Sequence, residues 1–166
     1  MKYLVTSITI ASAIALAGCS KKAPEQLPPT PQNTAPEQTQ PSGPAPGTQA
    51  HFVSVMRGAD TIFFDTDMFD IDTEDQAALR QQAEYMQQYA NVRATIEGHC
   101  DERGTREYNI ALGERRANAA KNYLVSLGIP ENRLTTVSYG KERPVALGSN
   151  EQAWAQNRRA VTVVLN

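Results

Sequence analysis

The chain has 166 residues, a net charge of −2, two cysteines and 40 % hydrophobic residues. That length allows one domain of ordinary size plus a tail, and the near-neutral charge leaves no basic footprint for nucleic acid. Cys19 and Cys100 are too few for a disulfide framework, so a packed core must hold the fold.

Lys2 supplies a positive start, and Leu4 to Ala17 form an apolar run shorter than the roughly 20 residues a spanning helix needs. Its flanks are those of a secretory signal, expected over residues 1–18. Leu16-Ala17-Gly18-Cys19 resembles a bacterial lipobox, in which the cysteine thiol takes a diacylglyceryl group and the new N-terminus is acylated. The plainer alternative is an ordinary signal peptide with an incidental cysteine. Two or more acyl chains make anchoring stable, at about 0.8 kcal/mol per buried CH₂. Ser20, in place of Asp, resembles the lipoprotein address for the outer membrane. A lipidated Cys19 leaves Cys100 without a disulfide partner.

Residues 19–50 read as a flexible, disordered tether. Eight of the ten prolines fall there, among Gln, Thr, Ser, Gly and Ala, and such a segment buries too little surface to offset its ordering entropy. As stiff polyproline II at ~3.1 Å per residue, residues 20–50 span up to ~95 Å; as a looser coil, nearer ~30 Å.

From about His51 the pattern becomes globular, and residues 51–166 are expected to form one domain. Thr61-Ile62-Phe63-Phe64 is a β-prone run. Thr73-Glu74-Asp75-Gln76 fits a capping box, with Leu79, Ala83, Met86 and Ala90 following at helical spacing. Val92, Ala94 and Ile96 alternate with Arg93, Thr95 and Glu97 as in a strand with one apolar face; Gly98 ends the clean alternation. A second helix starts near Arg106, with Ile110, Gly113, Ala117, Ala120, Leu124 and Leu127 as its apolar stripe. Gly128 suits the position just past the helix, and Pro130 prevents its continuation. Leu134 to Tyr139 reads as a strand. Ser149-Asn150-Glu151-Gln152 opens a short helix around Trp154, and Ala160 to Leu165 is a final strand. The order βαβαβαβ predicts an α/β domain of the α+β type, a mixed sheet with helices packed against it.

The densest polar segment is Gly98-His99-Cys100-Asp101-Glu102-Arg103-Gly104-Thr105, leaving the carboxyl end of the second strand, where ligand sites are common. Asn109 and Arg116, seven apart on the next helix, share nearly one face, beside the apolar stripe. An acid from the loop and a guanidinium from the helix can frame one pocket. They can equally form a plain surface ion pair of about 0–1 kcal/mol.

Glu97-Gly98-His99-Cys100-Asp101-Glu102-Arg103-Gly104-Thr105, Glu107-Tyr108-Asn109, Leu112-Gly113-Glu114-Arg115-Arg116-Ala117, Val137-Ser138-Tyr139-Gly140-Lys141-Glu142-Arg143-Pro144 and Asn157-Arg158-Arg159-Ala160-Val161 together resemble the OmpA-like peptidoglycan-binding domain, over about Thr61 to Leu165. The resemblance implies noncovalent binding of diaminopimelate in the peptidoglycan stem peptide, whose side-chain tip bears an ammonium and a carboxylate on one carbon. It implies that Asp101 receives the ammonium and Arg116 the carboxylate, bidentately. Asn109 positions neighbours, while Asp67, Glu102, Arg103 and Thr105 meet the rest of the stem peptide. With the lipid anchor it implies an outer-membrane protein facing the periplasm. TolB and other Tol proteins are implied as partners, with a role in envelope integrity and cell division.

Neither an enzyme nor a cofactor is expected. Adjacent His99 and Cys100 point to opposite faces of an extended segment and do not make a nucleophile–base pair; Cys100 reads as a small buried thiol. Two histidines without ligand spacing give no metal site. The seven acids of Asp60–Asp75 read as a solvated loop and helix start. Arg158 and Arg159 are left as a helix cap or a strand anchor. The rival functions are a peptidoglycan hydrolase and a protein-interaction module without wall binding.

Overall fold

The computed structural model describes residues 43–165. The predicted signal segment, Cys19 and most of the predicted tether lie outside them.

The elements run α1 (Gln49–Met56), β1 (Thr61–Phe63), α2 (Thr73–Gln88), β2 (Arg93–His99), α3 (Arg106–Ser126), a 3₁₀ turn (Glu131–Arg133), β3 (Leu134–Gly140), α4 (Glu151–Asn157) and β4 (Arg159–Leu165). The strands form one mixed sheet in the order β1-β4-β2-β3. β4 is antiparallel to both its neighbours, and β2 is parallel to β3, with α3 as the crossover. This is the mixed sheet with packed helices that the patterning predicts.

The core lies between the sheet and α1, α2 and α3. Phe52, Leu79, Met86, Ile96 and Leu124 are wholly buried there, each worth about 1.5–3 kcal/mol of transfer free energy. The start of α1 falls inside the predicted tether. Thr48 caps it by accepting from the His51 amide, and Gln49 Oε1 accepts from the Val164 amide at 2.7 Å, tying α1 to the sheet. Only Phe52 and Met56 are buried in α1, too sparse a signal for periodicity to reveal.

Both predicted capping boxes are displaced by one residue. Asp72, not Thr73, caps α2, accepting from the Asp75 amide at 2.8 Å. Asn150, not Ser149, caps α4. Asp72 lies one position before the expected cap and Asn150 one after it, and each short side chain accepts from the amide three residues on. α2 ends at Gln88, so Ala90 lies beyond it and is exposed. α3 closes as its glycine foretells: Gly128 has φ +94°, its amide donates to Val125 and that of Ile129 to Leu124, a Schellman motif.

Gly98 is the last inward-facing member of the clean alternation of β2, and the register against β3 shifts between Gly98 and His99. A Cβ there would collide with the Gly113 carbonyl, and one on Gly113 with Ser138 Oγ and the Gly98 carbonyl. Two facing glycines therefore let α3 lie directly on β2, which sets the depth of the cleft at the sheet's end.

Candidate functional site

At the edge where β1 and β2 end and β4 begins, three loops enclose a cleft of about 270 Å³. Of the predicted residues, Asp67, Asp101, Arg103, Asn109 and Arg116 line it. Glu102 and Thr105 do not. Glu102 is exposed and accepts from Trp154 Nε1 at 3.0 Å. The Thr105 hydroxyl caps α3 through the Tyr108 amide.

Arg116 departs most from expectation. It lies on the buried face of α3 with Asn109, Leu112, Gly113, Ala117, Ala120 and Leu124, and it is wholly inaccessible. Its Nε, Nη1 and Nη2 donate to the Met68, His99 and Asp65 carbonyls, each at 2.9 Å. A cation tolerates the interior when its donors are met, and here they are met by two loops that no helical pattern anticipates. Arg116 thus staples the β1–α2 loop to the end of β2, keeping two of its five N–H groups for other partners. Burial pulls its pKa down from the ordinary arginine value.

Nor do Asp101 and Arg116 form the plain ion pair. Asp101 accepts from Arg103 Nη2 at 2.7 Å and from its Nε and backbone amide at 3.1 Å. Arg158 Nη1 stands 3.5 Å from the Asp101 carboxylate. Burial raises the Asp101 pKa, but the Arg103 hydrogen bonds and charge, with Arg158, outweigh it and hold the carboxyl below its usual range. The Arg103 guanidinium rests 4.2 Å over the Trp154 ring.

Asn109 is buried and holds the loop: its Nδ2 donates to the Arg103 and Thr105 carbonyls at 2.7 and 3.0 Å. Asp67 adopts φ +59°, the left-handed region that Asp tolerates better than most. Its carboxylate accepts from Tyr108 Oη at 3.0 Å.

Cys100 is buried, with its thiol 3.4 Å from the Asn109 carbonyl, and burial pushes its pKa up. The neighbouring His99 is buried too, but neither ring nitrogen has a hydrogen-bond partner, so the two side chains form no nucleophile–base pair. Burial, followed by Arg159 and Arg143, lowers the His99 pKa to about 4.

Sequence reasoning missed Arg158 and Tyr108 as cleft residues. Arg158 is reached only across the sheet, and nothing local to Asn157-Arg158-Arg159 indicates which arginine turns inward. A larger groove of about 470 Å³ lies beside Phe63, Met68 and Ile71. It shares Arg158, there the single cation among Asp65, Asp70 and Asp72, whereas the cleft sets three arginines against two aspartates.

The fold and this charged cleft define a class, and the OmpA family description matches residues 63–158; the chain belongs to the OmpA family. Two similar relatives bear the same name. The peptidoglycan-associated lipoprotein of Rhizobium meliloti (strain 1021) is 50 % identical over 158 residues, 95 % of this chain and 85 % of the relative. That of Brucella suis biovar 1 (strain 1330) is 46 % identical over 159 residues, 95 % of this chain and 90 % of the relative. The crystal structure of the peptidoglycan-associated lipoprotein from Burkholderia pseudomallei is similar with a TM-score of 0.62 at 45 % identity, covering 63 % of this chain and 89 % of that one.

Proposed function

We propose that this chain is a lipid-anchored tether whose cleft binds, without covalent chemistry, the diaminopimelate of peptidoglycan stem peptides. The observation that carries the reading is the set of opposed charges in one enclosed space: Asp67 and Asp101 against Arg103, Arg116 and Arg158. A zwitterionic tip needs an acid and a guanidinium at fixed separation, and the relatives' name points to the same polymer.

In the bound state the ligand's ammonium meets Asp101 and shares its oxygens with Arg103. The carboxylate meets the N–H groups that Arg116 has left over. Asn109 keeps the loop in place, and Asp67, Arg103, Glu102 and Thr105 meet the rest of the stem peptide. Acylated Cys19 holds the outer membrane, and residues between it and the domain supply the reach to the wall in the periplasm. TolB and other Tol proteins are the partners this reading implies, in envelope integrity and cell division. Noncovalent attachment releases as the wall grows.

The test is co-sedimentation of the full chain with purified sacculi, with released fragments measured in the supernatant. The wild type is expected to sediment without releasing fragments. Asp101→Asn, which keeps an acceptor for the Arg103 amide but loses the charge, is expected to stay folded and in solution. Retention of folded Asp101→Asn at the wild-type level would overturn the site. Released fragments would point to a hydrolase instead.

A further inference from the structure

We propose that Arg158 is a ligand-binding residue of the cleft, the one that reads the free carboxylate of the zwitterionic tip and rejects its amidated form. The proposal rests on the diaminopimelate reading above, which counts Arg158 among the charges of the cleft but gives it no contact with the ligand.

Three observations converge on Arg158. First, two edges of its guanidinium are fixed: Nε donates to the Phe64 carbonyl at 2.9 Å and Nη2 to Glu151 Oε1 at 2.7 Å. A guanidinium is planar and rigid, so these two bonds determine where the third nitrogen points. Second, that nitrogen, Nη1, is buried and has no hydrogen-bond partner. The Asp101 carboxylate, at 3.5 Å, is near enough to interact by charge but makes no hydrogen bond. A buried charged donor left unmet is a costly state that native structures rarely keep without a reason. Third, the side chain is only 7 % exposed, yet it borders the cleft with Asp101 and Arg116.

Arg116 alone is a poor carboxylate fork. Its three hydrogen bonds to backbone carbonyls commit one donor on each of its nitrogens. It can offer single N–H groups from Nη1 and Nη2, but its Nε is spent. Arg158 Nη1 adds a donor already desolvated and already aimed. The charges agree: three arginines face Asp67 and Asp101, and Glu151 pairs with Arg158 from outside the cleft, so the set is balanced and suits a ligand tip that carries one charge of each sign. An amide in the same place turns its NH₂ or its weaker oxygen toward Nη1 and loses the charge-assisted bond. A lysine at that position of the stem peptide brings the ammonium and no acceptor at all.

The experiment measures binding of the full chain to soluble muropeptides ending in meso-diaminopimelate, in its amidated form and in lysine. The wild type is expected to prefer the free acid over the amide by about tenfold or more, the scale of a charge-assisted hydrogen bond. Arg158→Gln, checked for folding by its melting curve, is expected to shrink that preference by about threefold or more. An unchanged preference in a folded Arg158→Gln overturns the proposal and leaves the diaminopimelate reading standing. A wild type that binds none of the three peptides overturns the reading itself. If Arg158→Gln does not fold, side-chain NMR of the wild type decides. The Arg158 guanidinium signals are expected to move with the free acid and not with the amide; signals that stay put on saturation with the free acid overturn the proposal.

Discussion

Arg116 and Arg133 do the same mechanical job at opposite ends of β2. Arg116 holds the Asp65, Met68 and His99 carbonyls where the strand ends. Arg133 holds the Met86, Tyr89 and Val92 carbonyls just before it begins, at 2.8, 3.0 and 2.8 Å. Each fastens the loop after one element to the sheet through a guanidinium fork, and burial lowers both pKa values. The surroundings separate them. Arg133 is half-buried. Arg116 is inaccessible and borders a cleft with two aspartates and two further arginines. One interaction therefore serves packing alone at one end, and at the other builds the floor of a polar site.

Breaking the staples separates these roles. Arg116→Met, which conserves much of the volume, removes a wholly buried guanidinium, strands the buried His99 carbonyl and frees those of Asp65 and Met68; it should cost about 3–5 kcal/mol, read from denaturant unfolding. It should also abolish retention on sacculi at a temperature where the variant is still folded. Arg133→Met removes a guanidinium that is itself half-exposed, so a cost of about 1–2 kcal/mol is expected, with retention unchanged. A folded Arg133→Met that fails to sediment, or an Arg116→Met as stable as wild type, would collapse the distinction.

The asymmetry between the two ends was only half readable in the chain. The stripe of α3 and the alternation of β2 follow from apolar periodicity, and Gly128 closes α3 because a left-handed residue is needed there. The position of Asp101 follows from a polar loop leaving a strand. Arg116 was placed on the correct helix, beside the stripe with Asn109, but its complete burial was not foreseen. Charge is ordinarily a marker of solvent, and the carbonyls that satisfy this one come from residues 65, 68 and 99. Arg158 is subtler still, since its role depends on a contact with Asp101, 57 residues away by the difference of their numbers. Gly98 is half readable for a related reason: the alternation does end there, but that its inward face is filled by Gly113 depends on another element.

The smallest expected effect concerns the acids at the cleft end of the sheet. Asp101 and Asp75 move in opposite directions. Asp101 is held low by its arginines despite burial. The stability it contributes is present above its unfolded pKa of about 3.9 and is lost as pH falls through its lower folded pKa. Asp75 is raised to about 6, chiefly by burial and then against the help of the Phe63 amide, with Asp72 and Glu74 adding repulsion. Between about pH 4 and 6 the folded chain keeps the Asp75 proton that the unfolded chain has given up, so this group makes stability fall as pH rises through that window. His99 opposes it: with a folded pKa of about 4 against about 6.5 unfolded, it costs stability as pH falls from about 6.5 to 4. Wild-type stability across that range is the sum of two opposing slopes. Asp75→Asn keeps an acceptor for the Phe63 amide, 3.1 Å away, and cannot ionise. Its melting temperature should exceed that of wild type at pH 7, and the gap should narrow toward pH 4, leaving the His99 slope alone on the acid side. A gap that is the same at both pH values would mean that Asp75 does not hold its proton in the folded state.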